Sequence, residues 1–380
     1  MDMIDCVATC RPGLEGVLAD ELGALRMDRI QPGKRAVRFS TDQAGLYRVN
    51  MALQTAIQVL VPLRTFNARD YDLLYYQARR TNWHQYFEVG KNIRIDVNGR
   101  SGTLRNTQYV VHRVKDGIVD TFRKLSGGIR PSVDKDQPDI HVVVHLDGQK
   151  VTLSLDSSGV PLFKRGYRTS HGGAPLKEDL AAGILLLAGI RESSGLLDPM
   201  CGSGTFLFEG WMLLHQVAPN LEREFSFQHW LDYDEAQHVR ERDQLRRLER
   251  RDREVPVWGC DLDPSVRQIA QGIREAHFPE AGIRIDESPF EEWEVSVENG
   301  LLVANPPYGE RMGVSEELGQ LYRDLGNAAK RMVPGGRLGV FTTNRKAARQ
   351  IRLTTDRALT LFNGALEGLL YLYSVKKLQG

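Results

Sequence analysis

The sequence predicts an α/β protein whose second half is a mainly parallel, seven-stranded sheet covered by helices and whose first part is α+β. Three observations carry this. From Pro175 onward short apolar runs alternate regularly with segments of helical spacing, the pattern of crossover connections. Two of the predicted strands end in chemistry-bearing turns, DPMCGSG and NPPY. Upstream, strand and helix candidates mix without that regular alternation.

Along the first part, Ile4–Ala8 is apolar and β-leaning. Leu14, Val17, Leu18, Leu22 and Leu25 share one helical face, and Ala36–Phe39 forms a short strand. Helices are predicted over Tyr71–Glu88 and Lys115–Leu125. Strands are predicted over Asn92–Val97, Ile140–Leu146 and Gln149–Leu155, the last two joined by the Asp147-Gly148 turn signal. Leu125–Pro138 reads as a loop, and the basic, Gly-rich Pro161–Ala174 as a linker. Beyond it, strands fall at Gly195–Leu197, Val257–Cys260, Ile283–Ile285, Leu301–Ala304, Leu338–Thr342, Ala358–Phe362 and Leu369–Val375. Helices start near Lys177, Thr205, Pro264 and Glu316. Leu221–Glu254 interrupts the rhythm with dense charge, and is expected to be either an exposed helix pair or an RNA-contacting arm.

Bulk properties exclude several classes. With 380 residues the chain is long enough for two or three domains, and 41% hydrophobic residues can build a core. A formal net charge of +1 gives no global nucleic-acid signature, so any RNA contact must be local. Cys6, Cys10, Cys201 and Cys260 are too few and too scattered for a disulfide framework, and no second Cys or His pair stands at zinc spacing, so no metal is expected. The start, MDMIDCVATCRPG, lacks the order of a signal peptide, and the longest apolar run, Ala181–Ile190, is too short for a bilayer. No membrane association and a cytoplasmic location are the expectations.

The first turn motif, GLLDPMCGSGTFLFEG from Gly195 to Gly210, runs from strand to helix. Gly202 and Gly204 let a ligand approach the backbone closely, and Asp198 offers an acceptor for an amino or hydroxyl group. The third glycine of the dinucleotide fingerprint is missing, which disfavours NAD, and a nicotinamide-linked dehydrogenase with it, and favours a nucleoside without a pyrophosphate. Asp261, at the end of the next strand, can hold both hydroxyls of a ribose. Asp263 reads as the cap of the following helix, with Pro264 at its first position. The third strand ends near Asp286-Glu287-Ser288, where an adenine contact is expected.

The second motif is Asn305-Pro306-Pro307-Tyr308. Two prolines stiffen the strand tip. The Asn305 side-chain carbonyl and the Pro306 backbone carbonyl offer two acceptors at one point, which suits an –NH2 donor. Tyr308 can stack on a base moved out of its helix. Lys164, Arg165, Arg168 and Arg311 are candidate phosphate contacts. No histidine stands out as a general base; His171 and His229 read as surface or packing residues.

Together, Asp198–Thr205 and Asn305–Tyr308 resemble the motifs of Rossmann-like amino-methyltransferases, in the order found in enzymes that modify RNA amines. RGYRTSHGGAPLKEDLAAGIL (Arg165–Leu185) resembles the segment leading into the catalytic domain of bacterial large-subunit rRNA guanine-N2 methyltransferases. HRVKDGIVD, SVDKDQPDIHVVVHLDG and SLDSSGVPLFKRGYR resemble the THUMP domain of that family, and FNGALEGLLYLYSV its C-terminal hairpin. The resemblance implies a ferredoxin-like domain over 1–55, a THUMP RNA-binding domain over 56–160 and a methyltransferase domain over 161–380 that uses S-adenosyl-L-methionine. It implies that Asp198, Pro199, Met200, Cys201, Gly202, Ser203, Gly204 and Thr205 hold the methionine part of the cofactor. Asp261 with Leu262 would hold its nucleoside, Asn305 would border it, and Asn305, Pro306, Pro307 and Tyr308 would form the pocket for the amine. The implied partner is 23S rRNA or its assembly precursor. Guanine N2 of a tRNA, adenine N6, and a non-catalytic RNA-binding role remain open as alternatives.

Overall fold

The computed structural model describes residues 3–168, 176–307 and 316–377. The chain divides into two compact units: Met1–Cys10, Ala19–Leu162 and Asn220–Gln244 form the first, and Arg11–Leu18, Phe163–Pro219 and Leu245–Gly380 the second.

The first unit is built on one eight-stranded sheet. Its strands are β1 (Ile4–Cys10), β2 (Asp28–Pro32), β3 (Ala36–Thr41), β4 (Ala56–Asn67), β5 (Asn92–Arg100), β6 (Ser132–Val133), β7 (Ile140–Asp147) and β8 (Lys150–Asp156), in the order β2-β3-β1-β4-β8-β7-β5-β6. Helices α1 (Glu15–Ala24), α2 (Gln43–Ala52), α3 (Tyr71–Arg79) and α4 (Thr107–Leu125) intervene in the chain. The long β4 pairs with β1 on one side and β8 on the other, so it joins the N-terminal strands and the later ones into a single sheet. Helix α3 is shorter than expected. It stops at Arg79, and a separate turn, Trp83–Gln85, follows, with Trp83 fully buried.

His141 on β7 lies between two carboxylates of this sheet. Its Nε2 lies 2.6 Å from Asp96 Oδ2 and its Nδ1 lies 3.0 Å from Asp156 Oδ2. Burial works against its charge, but hydrogen bonds to Asp156 and then Asp96 outweigh that and hold its pKa up to about 9. The folded value lies above the ordinary 6.5, so the stabilisation is complete below pH 6.5 and is lost as pH rises through about 9. The contribution is on the order of 3 kcal/mol. Denaturant melts between pH 6 and 10 are therefore expected to show stability falling toward the alkaline end. A His141→Gln variant is expected to be less stable at pH 6 and to have lost that slope.

Residues 220–244 belong to this first unit, although the sequence on either side of them builds the second. The segment is not a pair of exposed helices. Phe225 and Phe227 are buried in and just before a short turn, Ser226–His229, and only then does the single helix α7 (Glu235–Arg247) begin. Phe227 packs on Tyr47 of α2 with ring centroids 4.6 Å apart, His238 joins the same cluster, and Glu241 pairs with Arg48 at 2.7 Å. Aromatic burial on α2 accounts for the position of the segment; its charges cover the outside.

The second unit is a seven-stranded sheet, as the repeating pattern predicts. Its strands are β9 (Leu196–Asp198), β10 (Val257–Cys260), β11 (Ile283–Asp286), β12 (Leu301–Ala304), β13 (Arg337–Thr342), β14 (Arg357–Asn363) and β15 (Leu366–Ser374), in the order β11-β10-β9-β12-β13-β15-β14. The first five run parallel, and β15 returns antiparallel to both β13 and β14. Successive side chains of a strand point to opposite faces. Leu197, Leu302, Ala304, Leu338 and Val340 pack with Tyr322, Leu325, Ala329 and Met332 of helix α9 (Glu316–Met332), while Leu196 and Leu185 of α5 (Glu178–Leu187) both lie over Gly210 of α6 (Thr205–Leu214). All four residues of β12 are buried, which follows from cover on both faces. Helix α8 (Pro264–His277) starts as expected: Asp263 accepts from Ser265 N–H at 2.8 Å, with Pro264 at the first position.

Candidate functional site

In a parallel sheet, ligands bind beyond the carboxyl ends of the strands where the strand order reverses. Here that point lies beside β9, with β10 on one side and β12 on the other. The three strand ends present Asp198, Cys260-Asp261 and Asn305, and a cavity of about 500 Å³ opens over them. This volume is within the range of about 300–1,000 Å³ typical of small-molecule sites. Of the expected cofactor residues, Asp198, Pro199, Met200, Cys201, Gly202, Ser203, Thr205, Asp261 and Leu262 line it.

The glycine turn is shaped by backbone requirements. Gly204 has φ +82°, and a Cβ there would meet the Phe208 ring at 2.6 Å, so only glycine allows α6 to begin so close to its own first turn. Gly202, at φ +53°, faces open space, as close approach of a ligand requires. Gly204 caps α6 without any side-chain hydrogen bond, which leaves the first-turn N–H groups to meet an acceptor such as a carboxylate.

Asp261 does more than wait for a sugar. Gly202 N–H donates to its Oδ2 at 2.8 Å, and Asp263 N–H donates to its Oδ1 at 2.9 Å. It thereby ties the glycine turn to the start of α8, and its remaining lone pairs are those a ribose would use. Beside it Leu262 is 70% exposed, an apolar surface on the cavity wall suited to a flat ring. Asp198 is 1% exposed and accepts from Met200 N–H at 3.1 Å. Burial pushes its carboxyl up to about 8, the Met200 bond pulls it down, and the charge of Asp261 raises it. A cationic group entering the cavity would favour its ionised form.

Asn305 and Pro307 line the same cavity, so the second motif and the glycine turn share one space. Pro306, between them in the chain, is buried and is not among the residues that line the cavity. Tyr308 and Arg311 lie outside the described residues, as does His171. Toward β11, the wall is formed by Pro289, Phe290 and Glu291 rather than by Glu287-Ser288, where the adenine contact was expected. Glu287 lies instead 3.6 Å from Arg267. The sequence gives no periodic signal for this wall, because it lies in an irregular stretch after the strand. Leu176, Phe206 and Leu321 also line the cavity and were not singled out in the sequence, and Cys260, considered there only for a disulfide or metal, lines it too.

Two of the expected phosphate contacts are spoken for inside the second unit. The Arg165 side chain is 1% exposed, 3.5 Å from Glu209 Oε2, and Glu209 also accepts from Tyr167 OH at 2.9 Å. Burial pushes Glu209 up to about 7 against the pull of Arg165. The Arg168 side chain is 11% exposed and faces Thr205 and Glu178. Both cations are buried against acidic partners rather than offered to a phosphate, whereas Lys164 is exposed.

Comparison with known proteins agrees with this architecture. Residues 165–371 match the RMKL-like methyltransferase domain, residues 68–156 the THUMP domain, and residues 5–60 the RlmL ferredoxin-like domain. The chain is 36% identical, over 98% of its length, to the ribosomal RNA large subunit methyltransferase K/L of Saccharophagus degradans, and covers 51% of that protein. It is 35% identical, over 97% of its length and 96% of the relative's, to a Synechocystis protein named "Putative RNA methyltransferase slr0064". A crystal structure described as "a putative methyltransferase complexed with SAH" superposes with a TM-score of 0.89 at 26% identity, covering all of both chains. The chain spans about half the length of the K/L relatives it matches. With a family domain over more than half its residues and a relative of matching length, this chain belongs to the THUMP-containing family that carries the RMKL-like methyltransferase domain.

Proposed function

We propose that this chain transfers a methyl group from S-adenosylmethionine to the exocyclic N2 amine of a guanine in 23S rRNA or its assembly precursor. The observation that carries the reading is the single cavity bounded by the glycine turn, Asp261 and Asn305. The residues fit the cofactor: the uncapped start of α6 for its carboxylate, Asp198 for its ammonium, Asp261 for its ribose and Leu262 for its adenine. When bound, the cofactor supplies an electrophilic methyl on a sulfonium. The protein's part is orientation. The side-chain carbonyl of Asn305 and the backbone carbonyl of Pro306 would accept the two hydrogens of the amine, fixing the direction of the nitrogen lone pair. Tyr308 would stack on the extruded base. The low exposure of Asp198 and Thr205 keeps water from the inner wall.

The choice of 23S rRNA is supported by the names of the K/L relatives, and that of guanine N2 by the resemblance of Arg165–Leu185. Incubating the protein with isotopically labelled S-adenosylmethionine and unmodified 23S rRNA, then resolving the nucleosides by mass spectrometry, tests both. Labelled N2-methylguanosine is the expected product. Labelled N6-methyladenosine, or label taken up only from tRNA, would replace this reading.

A further inference from the structure

Arg168 stands in an unexpected place. It lies in the linker, yet its side chain is 11% exposed and turns toward the start of two helices. Its Nη2 donates to Thr205 Oγ1, the first residue of α6, at 2.5 Å. Its Nε lies 3.4 Å from Glu178 Oε1, the first residue of α5. Its Nη1 donates to the Leu176 carbonyl at 3.5 Å. A cation is the wrong charge for a helix N-terminus, where the macrodipole is positive. Glu178, itself 7% exposed, supplies the counter-charge that makes this placement tolerable.

The partners explain what the arrangement does. Thr205 and Leu176 both line the cavity. Thr205 directly follows Gly204, whose left-handed conformation starts α6. A guanidinium holds several donors in a fixed planar fork, so it can set the relative position of two acceptors, Thr205 Oγ1 and the Leu176 carbonyl, while pairing as a charge with Glu178, in a way a flexible ammonium cannot. We propose that Arg168 is a positioning residue for the cofactor: by bridging Thr205, Glu178 and the Leu176 carbonyl it fixes the Gly202–Thr205 turn against the start of α5 and so sets the shape of the cavity. It acts on the ligand through Thr205 and does not contact phosphate. The cofactor identity rests on the function proposed above; the positioning of the turn does not.

Two measurements on Arg168→Ala, Arg168→Lys, Thr205→Val and the Arg168→Ala/Thr205→Val double variant test this. The first is amide hydrogen exchange in the cofactor-free protein. Exchange at residues 202–206 is expected to rise in Arg168→Ala and Thr205→Val, while β12 and β13 remain protected. The second is calorimetric titration with S-adenosylhomocysteine. Loss of a charge-assisted bond is expected to weaken binding about tenfold in Arg168→Ala. Arg168→Lys is expected to restore part of it. The double variant is expected to be little weaker than the worse single one, because both substitutions break the same link. Should Arg168→Ala not fold, Thr205→Val and Arg168→Lys carry the same comparison. Unchanged exchange at the turn in Thr205→Val and Arg168→Lys, or fully additive losses in the double variant, would overturn the proposal. So would Arg168→Ala binding S-adenosylhomocysteine normally but RNA weakly, which would return Arg168 to a phosphate role. A wild-type protein that binds no S-adenosylhomocysteine would instead refute the cofactor reading and leave the exchange result to judge Arg168.

Discussion

Replacing Asn305 with alanine is expected to lower kcat for methyl transfer by about 10²–10³-fold while leaving cofactor affinity within about twofold of wild type. Asn305 follows directly on Ala304, the last residue of a strand buried on both faces, and is succeeded by two prolines. Its backbone is therefore held by the sheet, and the substitution removes a side-chain acceptor without moving the strand end. The glycine turn, Asp261 and Leu262, which the cofactor would touch over most of its length, are untouched. An acceptor that only aims the nucleophile contributes in the transition state, so kcat and kcat/KM should fall together. Single-turnover methylation assays with calorimetry on the same samples check both halves. Near-normal turnover in Asn305→Ala would remove Asn305 from the amine pocket, and a parallel loss of cofactor binding would make it a structural residue of the cavity.

The parts of the fold that were legible in the sequence are those where local chemistry and tertiary role agree. The ends of β9, β10 and β12 could be read because an apolar run stops at Asp198, Asp261 and Asn305; proline follows directly on Asp198 and Asn305, and Asp261 is followed by the Asp263-Pro264 helix start. Strand β4 was missed for the opposite reason. It contains Pro62, which argues against an interior strand, yet it lies between β1 and β8. The register with β8 shifts between Pro62 and Arg64, and this irregularity accommodates the proline within a paired strand. Helix α2 was also missed, although Asp42 caps it by accepting from Gly45 N–H at 2.8 Å; the apolar spacing that followed was too mixed to be noticed.

The site divides in the same way. Charge in a sequence reports composition and says nothing of burial, so Lys164, Arg165 and Arg168 looked alike, while folding buries the two arginines against Glu209 and Glu178. The arrangement needs three acidic or hydroxyl partners at positions 178, 205 and 209, on the two helices that follow, and no local pattern announces it. The dense charge of 221–254 likewise concealed Phe225, Phe227 and His238, whose burial against α2 decides where that segment lies.

Asp261→Ala is expected to have the largest effect on cofactor affinity, weakening it by about 100-fold or more, because one carboxylate performs two tasks. Its oxygens already accept from Gly202 N–H and Asp263 N–H, so the substitution releases the glycine turn from the end of β10 as well as deleting the acceptor for the ribose. Each charge-assisted bond is worth about 1.5–3 kcal/mol, and even the lower figure taken twice gives about a 100-fold change. Asp261→Asn is the informative companion. An amide keeps the shape but offers one acceptor oxygen, so it can hold either Gly202 N–H or Asp263 N–H, not both, and its affinity should lie between the other two. The fold should survive in both variants, since Asp261 is half-buried at a strand end and the sheet core lies behind it. Calorimetry with S-adenosylhomocysteine, with a thermal melt of each variant as control, separates the outcomes. Wild-type affinity in Asp261→Ala would mean that neither the turn nor the sugar depends on this carboxylate, and the cavity at the three strand ends would then lose its assignment to a nucleoside cofactor.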